Sequence, residues 1–453
     1  MTHLHHPQVS GLGRNPAAPQ DVLVRLLAHR AGRHGISSRR GQWADALVEA
    51  LLAHGHEDMA MGLHGDRLSP AMRRRVAEHS DPAIRDAFPD FVRQMVDREV
   101  PLGIDDLEEA YGLPRTALAA SENPKLRAAV AHAWHDRPPA VQEAMLADPD
   151  PRVRTAATLR EEPGVPPEWR DRCLADPATR TNIARHVPLT PDRFARLART
   201  GDEEVLQALA ENPHLTADMV ALLLDTEDPV VRIAVAQSRH VDAATRERLY
   251  ALVEAEREAG SVEAEVALGW YHAEPHWLRE APLTERLSHL DSPHPALRRA
   301  LASCRDLPEE AWNRLDHDPR LSVRRAAARR PDAPPEVLER LVRAHGDVFH
   351  VRPLLVDHPR FPRHVLRTFV DEPDPHVRYV ALQDPELPET ALRRLAVDPE
   401  PFVRRGVARH PEVTQELLEG LLADADPEVA DEAAAHPALP LPRMYRILAD
   451  AGL

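Results

Sequence analysis

The sequence LPEEAWNRLDHDPRLSVRRAAARR, residues 307–330, contains the unit from which the fold is predicted. A short helical pattern follows Leu307-Pro308 and ends near Asp316, and a second helical pattern follows Pro319. Proline near the first helical position costs no hydrogen bond, and acidic residues just after it are favourable at a helix N-terminus. The unit is therefore predicted to be a pair of short helices.

This unit recurs about every 26 residues along most of the chain. A fixed period of this length indicates a solenoid, because each helix pair buries its apolar side only against its neighbours. Helices of this length are marginal in isolation, which also favours stacking. We predict an all-α solenoid of short paired helices. The register is marked by an arginine that usually follows valine, at Arg127, Arg154, Arg180, Arg232, Arg298, Arg324, Arg352, Arg378 and Arg404.

An acidic residue precedes most of these marker arginines by four positions, as Asp150 precedes Arg154 and Asp228 precedes Arg232. Aspartate at the N-cap with proline at the first helical position starts a helix. The arginine one turn later is placed to pair with that aspartate or with the aspartate of the next repeat. The pattern predicts a ladder of helix caps and ion pairs along the stack, and no catalytic carboxylates.

The period divides the chain into four regions. Residues 1–112 are predicted to form an irregular helical N-terminal capping region with decayed repeats, since terminal repeats are atypical; a specialised functional segment is the alternative. Residues 113–250 form a repeat array, residues 251–282 an insertion that lengthens the period, and residues 283–453 a second array with a C-terminal cap.

Composition restricts the function classes. The net charge of −16 disfavours nonspecific nucleic-acid binding, for which a basic footprint is expected. The two cysteines, Cys173 and Cys304, build neither a disulfide framework nor a zinc motif. No N-terminal signal pattern and no long uncharged apolar stretch occurs, so a cytoplasmic protein without membrane contact is predicted.

No catalytic signature is recognisable. The 26 histidines form no His-Glu-x-x-His motif, and there is neither a glycine-rich phosphate loop nor a nucleophile elbow. The sequence therefore predicts no enzyme, no catalytic residue, no metal site and no cofactor. An active site in the irregular N-terminal region is the remaining enzyme hypothesis, and no set of residues there supports it.

The unit DPEPFVRRGVARHP, residues 398–411, resembles the variant leucine-rich repeats of bacteria and is also similar to short HEAT-like repeats. The resemblance covers roughly residues 113–453. It implies a right-handed superhelix and, by analogy, a protein-binding role. Some variant-repeat proteins hold an iron–sulfur centre in an N-terminal cysteine cluster. Because no cysteine precedes Cys173, that cofactor is expected to be absent.

Two groups of residues are candidates for partner binding. Residues 291–411 hold 21 arginines against 19 acidic residues, a local excess of positive charge in an acidic chain. The first candidate group, predicted to line a groove on the second helices, is Arg299, Arg325, Arg329, Arg405 and Arg409. The second group consists of aromatic residues of the insertion that are predicted to contact a partner: Trp270, Tyr271 and Trp277. The alternatives are arginines that are solvated or internally paired, and aromatics that dock on adjacent repeats.

These features favour a non-enzymatic protein-binding scaffold that presents a concave solenoid surface to a protein or peptide partner. The arginine series favours an acidic partner. The alternative is a nucleic-acid-binding protein similar to the alkylpurine DNA glycosylases that are built from HEAT-like repeats. The net charge and the single lysine, Lys125, argue against nucleic acid.

Overall fold

The computed structural model describes residues 6–54, 67–160, 162–270, 275, 277–293, 295–347 and 354–453. Within these ranges all regular secondary structure is helical and no strand occurs, which confirms the all-α prediction. The helices form two compact units. The discontinuous unit consists of residues 1–88 and 331–453, and the continuous unit consists of residues 89–330.

The α-helices are numbered in chain order. The first six are α1 (Pro7–Arg14), α2 (Gln20–Leu26), α3 (Arg30–Ser37), α4 (Asp45–His54), α5 (Pro70–Ala77) and α6 (Pro82–Arg85). Those that follow up to residue 330 are α7 (Ala87–Asp97), α8 (Ile104–Tyr111), α9 (Arg115–Leu118), α10 (Pro124–Ala133), α11 (Pro139–Leu146), α12 (Pro151–Thr158), α13 (Arg170–Ala175), α14 (Arg180–His186), α15 (Pro191–Ala198), α16 (Glu203–Ala210), α17 (Ala217–Ala221), α18 (Pro229–Ala236), α19 (Ala243–Glu258), α20 (Val262–Trp270), α21 (Trp277–Glu280), α22 (Leu283–Ser288), α23 (Pro295–Leu301), α24 (Glu309–Asp316) and α25 (Leu321–Ala328). The last are α26 (Pro335–His345), α27 (Pro375–Ala381), α28 (Glu389–Leu395), α29 (Pro401–Ala408), α30 (Gln415–Leu422), α31 (Pro427–Ala434) and α32 (Leu441–Asp450). Short 3₁₀ segments span Pro167–Trp169, His289–Asp291, Leu355–Asp357 and Arg363–Asp371.

Each repeat consists of a first helix and a second helix. In the continuous unit, second helices of successive repeats pack on one another, as α10 packs on α12 and α16 on α18. The region predicted as an insertion keeps this alternation. Its first helix, α19, is 16 residues long, and its second helix, α20, packs on α18. The longer period there therefore comes from an elongated first helix and from the additional helix α21.

The N-terminus of many second helices is fixed by the predicted caps. In α12 the Oδ1 of Asp150 accepts a hydrogen bond from the Arg152 backbone N–H at 2.9 Å, and Pro151 occupies the first helical position. Asp228, Asp374 and Asp426 cap α18, α27 and α31 in the same way. A cap of this kind satisfies a backbone donor that the helix leaves open, so the acidic-Pro pair serves to start the second helix.

Most of the described marker arginines form the predicted ladder of ion pairs, each with an acidic residue of the next repeat. The Nε of Arg154 donates to Asp176 at 2.7 Å, and its Nη1 donates to the Asp148 and Pro149 carbonyls. The partner is not the N-cap acid but an aspartate at the end of the next first helix. Four further rungs within the described residues follow this rule: Arg127–Asp148, Arg298–Asp318, Arg378–Asp398 and Arg404–Asp424.

Because of these arginine–aspartate pairs, we expect the free energy of unfolding to decrease at acidic pH. A hydrogen bond from Arg404 lowers the pKa of Asp424, and one from Arg154 lowers the pKa of Asp176. A folded pKa below the unfolded value near 4 contributes stability above that pH, and the contribution is lost as the pH falls through the folded pKa. We expect the urea midpoint to fall as the pH is lowered below about 4. Asp424→Asn should show a shallower pH dependence, and an unchanged slope would contradict the role of this rung.

The first described helices continue the stack that ends at α32. Helix α1 packs between α31 and α3, and α2 packs against α32. The second helix α29 is followed by a residue before proline that bonds back to the preceding repeat: the His410 Nε2 bonds to the Asp384 carbonyl at 2.8 Å. Asn15, before Pro16, makes the corresponding bonds: its Nδ2 donates to the Ala434 and His436 carbonyls at 3.0 and 2.7 Å.

Helix α1 is thus the second helix of the repeat that begins with α32. The continuous unit supplies an internal comparison, because Asn212 before Pro213 donates to the Ala184 and Val187 carbonyls at 2.7 and 2.9 Å. Arg14 forms an ion pair with Asp431, and the Gln8 side chain donates to the Leu422 carbonyl. Residues 6–37 and 427–453 are therefore joined by side-chain and backbone contacts of the kind that join repeats within the chain.

Candidate functional site

One face of the second helices carries positions whose chemistry differs between repeats. Counted from the first helical residue, these are the fifth and ninth positions, which we call the groove positions. The fifth positions include Ala128, Thr155, Arg299, Arg325 and Arg405, and the ninth positions include His132, Leu159, Arg329 and Arg409. The arginines predicted from the sequence and the apolar residues of α10 and α12 thus occupy the same face of the repeat.

Between α7, α10 and α12 this face forms a cavity of about 350 Å³ in the continuous unit. Its apolar wall includes Val96, Val100, Ala128, Ala156 and Leu159. Val100 and Leu159 remain 41% and 39% exposed, so large apolar side chains face solvent next to small ones that leave room. A cavity of this size and lining is typical of sites that take up apolar groups of a ligand.

Charged groups lie at the rim of this cavity. Arg152 pairs with Asp150 at 2.8 Å and reaches Glu99, in the segment after α7, at 3.3 Å. Lys125 donates to the Asp97 carbonyl from the same side. Burial, together with the charges of Arg160 and His135, lowers the pKa of His132, so its imidazole is neutral at pH 7 and compatible with an apolar floor.

Arg137 fixes the spacing of the two second helices that line the cavity. Its Nη1 donates to the Ala131 and Trp134 carbonyls at the end of α10, and its Nη2 donates to the Ala157 carbonyl at the end of α12. Its Nε donates to Gln142 Oε1 at 2.6 Å. Burial lowers the pKa of Arg137 to about 10, so the guanidinium stays charged at pH 7. The walls of the cavity are therefore held by a buried cation that bonds three carbonyls.

The predicted arginines lie in both units. In the continuous unit Arg325 is 9% exposed, and Arg299 and Arg329 are half-buried. In the discontinuous unit Arg405 pairs with Glu428, and Arg409 pairs with Glu432 at 2.8 Å. Each of these acids belongs to α31, the next second helix. Arg405 and Arg409 therefore already have intramolecular partners, which a bound acidic group would have to displace.

The aromatic candidates lie around the segment between α20 and α21. The Trp277 indole Nε1–H donates to the Gln237 carbonyl at 3.0 Å, and its ring contacts His289 edge-to-face. It also packs against the apolar core that includes Leu278 and Leu301. Trp277 therefore docks on an adjacent repeat. Trp270 ends α20, and Tyr271 lies outside the described residues.

The cysteines and the residue types that bind metals form no further site among the described residues. Both cysteines are buried free thiols, and burial raises the pKa of Cys173. Across the ranges that the structure describes, no three His, Cys, Asp or Glu residues are grouped so that they could hold a metal ion. In those same ranges, every helix is too short or too polar to cross a lipid bilayer.

The cavity was not visible from the sequence because alanine, histidine and threonine at these positions are unremarkable in a helical repeat. One signal was available. Leu159 occupies the ninth position, where two later repeats carry Arg329 and Arg409. An apolar residue where other repeats of the same chain are charged indicates a local change in what that face contacts.

Comparison with known proteins agrees with this architecture. Residues 322–345, which span α25 and the start of the next repeat through α26, match the family model described as leucine rich repeat variant. This stretch is similar to a variant leucine-rich repeat. It begins in the unit from which the fold was predicted and continues into the next, and the resemblance to variant leucine-rich and HEAT-like repeats is confirmed. No curated protein matches the chain.

Proposed function

We propose that the chain is a non-enzymatic scaffold that binds a segment of another protein along the groove positions of the continuous unit. The cavity between α7, α10 and α12 is the observation that carries this proposal. It combines exposed Val100 and Leu159 with room above Ala128 and Ala156. Covering such apolar surface stabilises a complex without any catalytic group.

The charges beside the cavity define the partner. Lys125 and Arg152 lie at its rim, where Arg152 pairs with both Asp150 and Glu99. Arginines take the groove positions again at Arg299, Arg325 and Arg329. We therefore propose a peptide segment with an apolar anchor residue and acidic residues beside it. The anchor supplies affinity and the acidic residues supply orientation, since charge complementarity acts mainly on specificity and encounter.

A selection experiment with a matched variant tests the proposal. Peptides are selected from a random-peptide library on the full chain, and their affinity is measured by fluorescence anisotropy. We expect apolar residues flanked by Asp or Glu. Leu159→Glu should weaken binding by more than about tenfold, because it places a charge in the apolar wall. The control is Leu222→Glu, since Leu222 is also an exposed helix C-cap leucine but lies on a first helix.

Two results would contradict the proposal. One is equal loss of affinity in Leu159→Glu and Leu222→Glu, which would place the peptide elsewhere. The other is salt-sensitive binding of duplex DNA in a low-salt gel shift that Leu159→Glu does not change, which would favour the nucleic-acid alternative. A thermal midpoint unchanged in both variants confirms that folding is retained.

A further inference from the structure

Within the described residues of the continuous unit, one marker arginine of the ladder, Arg180, faces no aspartate of the next repeat. The aspartate of each rung accepts a hydrogen bond from the backbone N–H two residues later, as Asp148 does from Asp150 and Asp176 from Ala178. Thr200 occupies the same place one repeat further on, because its Oγ1 accepts from the Asp202 N–H. The ladder position that faces Arg180 is therefore a neutral threonine.

Arg180 is held as the other marker arginines are, but it has no acidic partner in the ranges that the structure describes. It donates from Nε and Nη2 to the Leu174 and Ala175 carbonyls, both at 3.1 Å. These carbonyls lie six and five residues earlier, the same spacing as the carbonyls that Arg154 bonds in its intact rung. The Arg180 Nη1 makes no hydrogen bond among the described residues, and its guanidinium is half-buried.

A cavity of about 470 Å³ opens at this broken rung, between the first helices α13 and α15. Arg180, Arg193, Arg196 and Thr200 line it, with Asp171 as the only acidic residue in the lining. Asp171 is committed to Arg193 at 2.5 Å. Arg196 is exposed and forms no ion pair within the part of the chain that the structure describes. The lining carries three positive charges against one negative charge.

We infer that this cavity, formed by Arg180, Arg193, Arg196 and Thr200, is a binding site for a phosphoryl group. The phosphoryl group would bind Arg180 at the place that an aspartate takes in the other repeats. Arg196, on α15, would contact it from the opposite wall. Planar guanidinium groups with several fixed donors suit the oxygens of a tetrahedral dianion. The Thr200 hydroxyl, which donates to the Leu197 carbonyl at 2.7 Å, is neutral where a carboxylate would repel the anion.

The site is separate from the proposed peptide groove, since its walls are the first helices α13 and α15, and the second helix α14 contributes only Arg180, its first residue. It fits a phosphoryl group from either of two sources, a free phosphate compound or a phosphorylated side chain of a partner. The recognition chemistry is the same in both cases. A comparison of inorganic phosphate with a phosphoserine peptide distinguishes them.

The variant Thr200→Asp tests the inference by restoring the rung. Thermal unfolding of the full chain is followed in inorganic phosphate and in chloride of equal ionic strength. The wild-type chain should gain about 2 °C or more at saturating phosphate, because a ligand that binds the folded state stabilises it. Thr200→Asp should melt higher in chloride and lose this specific gain, since its carboxylate occupies the site.

The matched control is Thr226→Asp. Thr226 makes the same turn, accepting from the Asp228 N–H, but the marker position one repeat earlier is Leu206 and offers no guanidinium. This variant should keep the phosphate response. Arg196→Ala, at an exposed position, should require about tenfold more phosphate for the same rise in the thermal midpoint. Equal responses in wild type, Thr200→Asp and Arg196→Ala would overturn the inference.

A phosphoserine peptide and its unphosphorylated form provide the second arm of the experiment. Affinity more than about tenfold tighter than for inorganic phosphate would assign the site to a modified partner protein, and equal affinity would assign it to a free phosphate compound. Competition by inorganic phosphate is expected in both cases. Binding of the unphosphorylated peptide with equal affinity would overturn the inference.

Discussion

Gly11→Ala should destabilise the discontinuous unit by about 3 kcal/mol, the upper end of what overpacking costs. Gly11 lies on α1 where this helix crosses α31. A Cβ added there would lie 1.9 Å from the Asp431 carbonyl oxygen and 2.9 Å from the Ala434 Cβ. Neither neighbour is the end of a flexible side chain, so the helices must separate to accept one methyl group.

Gly420→Ala is the matched control for this prediction. Gly420 also lies inside a helix of the discontinuous unit, α30, but an added Cβ would meet nothing within 4 Å. Replacement of an exposed helical glycine by alanine should stabilise the unit by about 0.5–1 kcal/mol. The measurement is thermal unfolding combined with backbone hydrogen exchange of α31 and α32. Unchanged exchange there in Gly11→Ala would contradict the assignment of α1 as their stacking partner.

Asp318→Ala should cost about 3–5 kcal/mol of the stability of the continuous unit, because it leaves a buried guanidinium unpaired. Arg298 donates to Asp318 from Nε at 2.7 Å and from Nη2 at 3.1 Å. The two side chains are only 9% and 5% exposed. The Asp318 carboxylate also accepts from the Arg320 backbone N–H at 2.9 Å, so its removal exposes a second unsatisfied donor near the start of α25.

The control for this rung is an exposed ion pair in the same unit. Arg314 and Asp291 are paired, with side chains 51% and 76% exposed. Solvent screens such a pair, so Asp291→Ala should change stability by less than about 1 kcal/mol. Urea unfolding together with hydrogen exchange of α23 to α25 measures both variants. Equal, small effects would show that the ladder contributes no more than ordinary surface charge.

The comparison of these two predictions shows what the sequence reveals and what it does not. The ion pair between Arg298 and Asp318 could be predicted from the sequence, because the equivalents of both residues recur at constant spacing. Residues typical of helix caps lie next to the equivalent positions in other repeats. The pattern left two partners open for each arginine. In the structure the arginine pairs with the aspartate of the next repeat, as Arg154 does with Asp176. The same guanidinium also bonds carbonyls just before its own helix, and the stacking of one repeat on the next brings the distant aspartate to it.

The contact of α1 with α31 could not be predicted in the same way. Asn15-Pro16 resembles the end of a second helix, as Asn212-Pro213 does. Its partners are 419 and 421 residues away, however, and no periodicity connects them. Likewise the groove and the arginine cavity depend on residues that break the repeat, Leu159 and Thr200. Helix pairs and ion pairs can be predicted from the sequence because their residues recur at a constant spacing. A residue that departs from the pattern at a single repeat gives no such signal.

The arginine predictions illustrate the same limit for the site. Arg405 and Arg409 are recognisable in the sequence as a basic series, but their pairing with Glu428 and Glu432 depends on how α29 lies against α31. In the continuous unit the same positions change from Ala128 and His132 to Arg299 and Arg329 along one face. A ligand that crosses several repeats would meet both kinds of surface, which is why an apolar anchor with acidic neighbours is the expected partner.

The position of a bound peptide tests the central claim most directly. A peptide selected on the full chain is synthesised with a photoreactive group at its apolar anchor, cross-linked, and mapped by mass spectrometry. The account predicts adducts on the groove face around the cavity, at residues such as Ala129, His132 and Leu159. Adducts confined to first helices, such as α11 or α15, would contradict it.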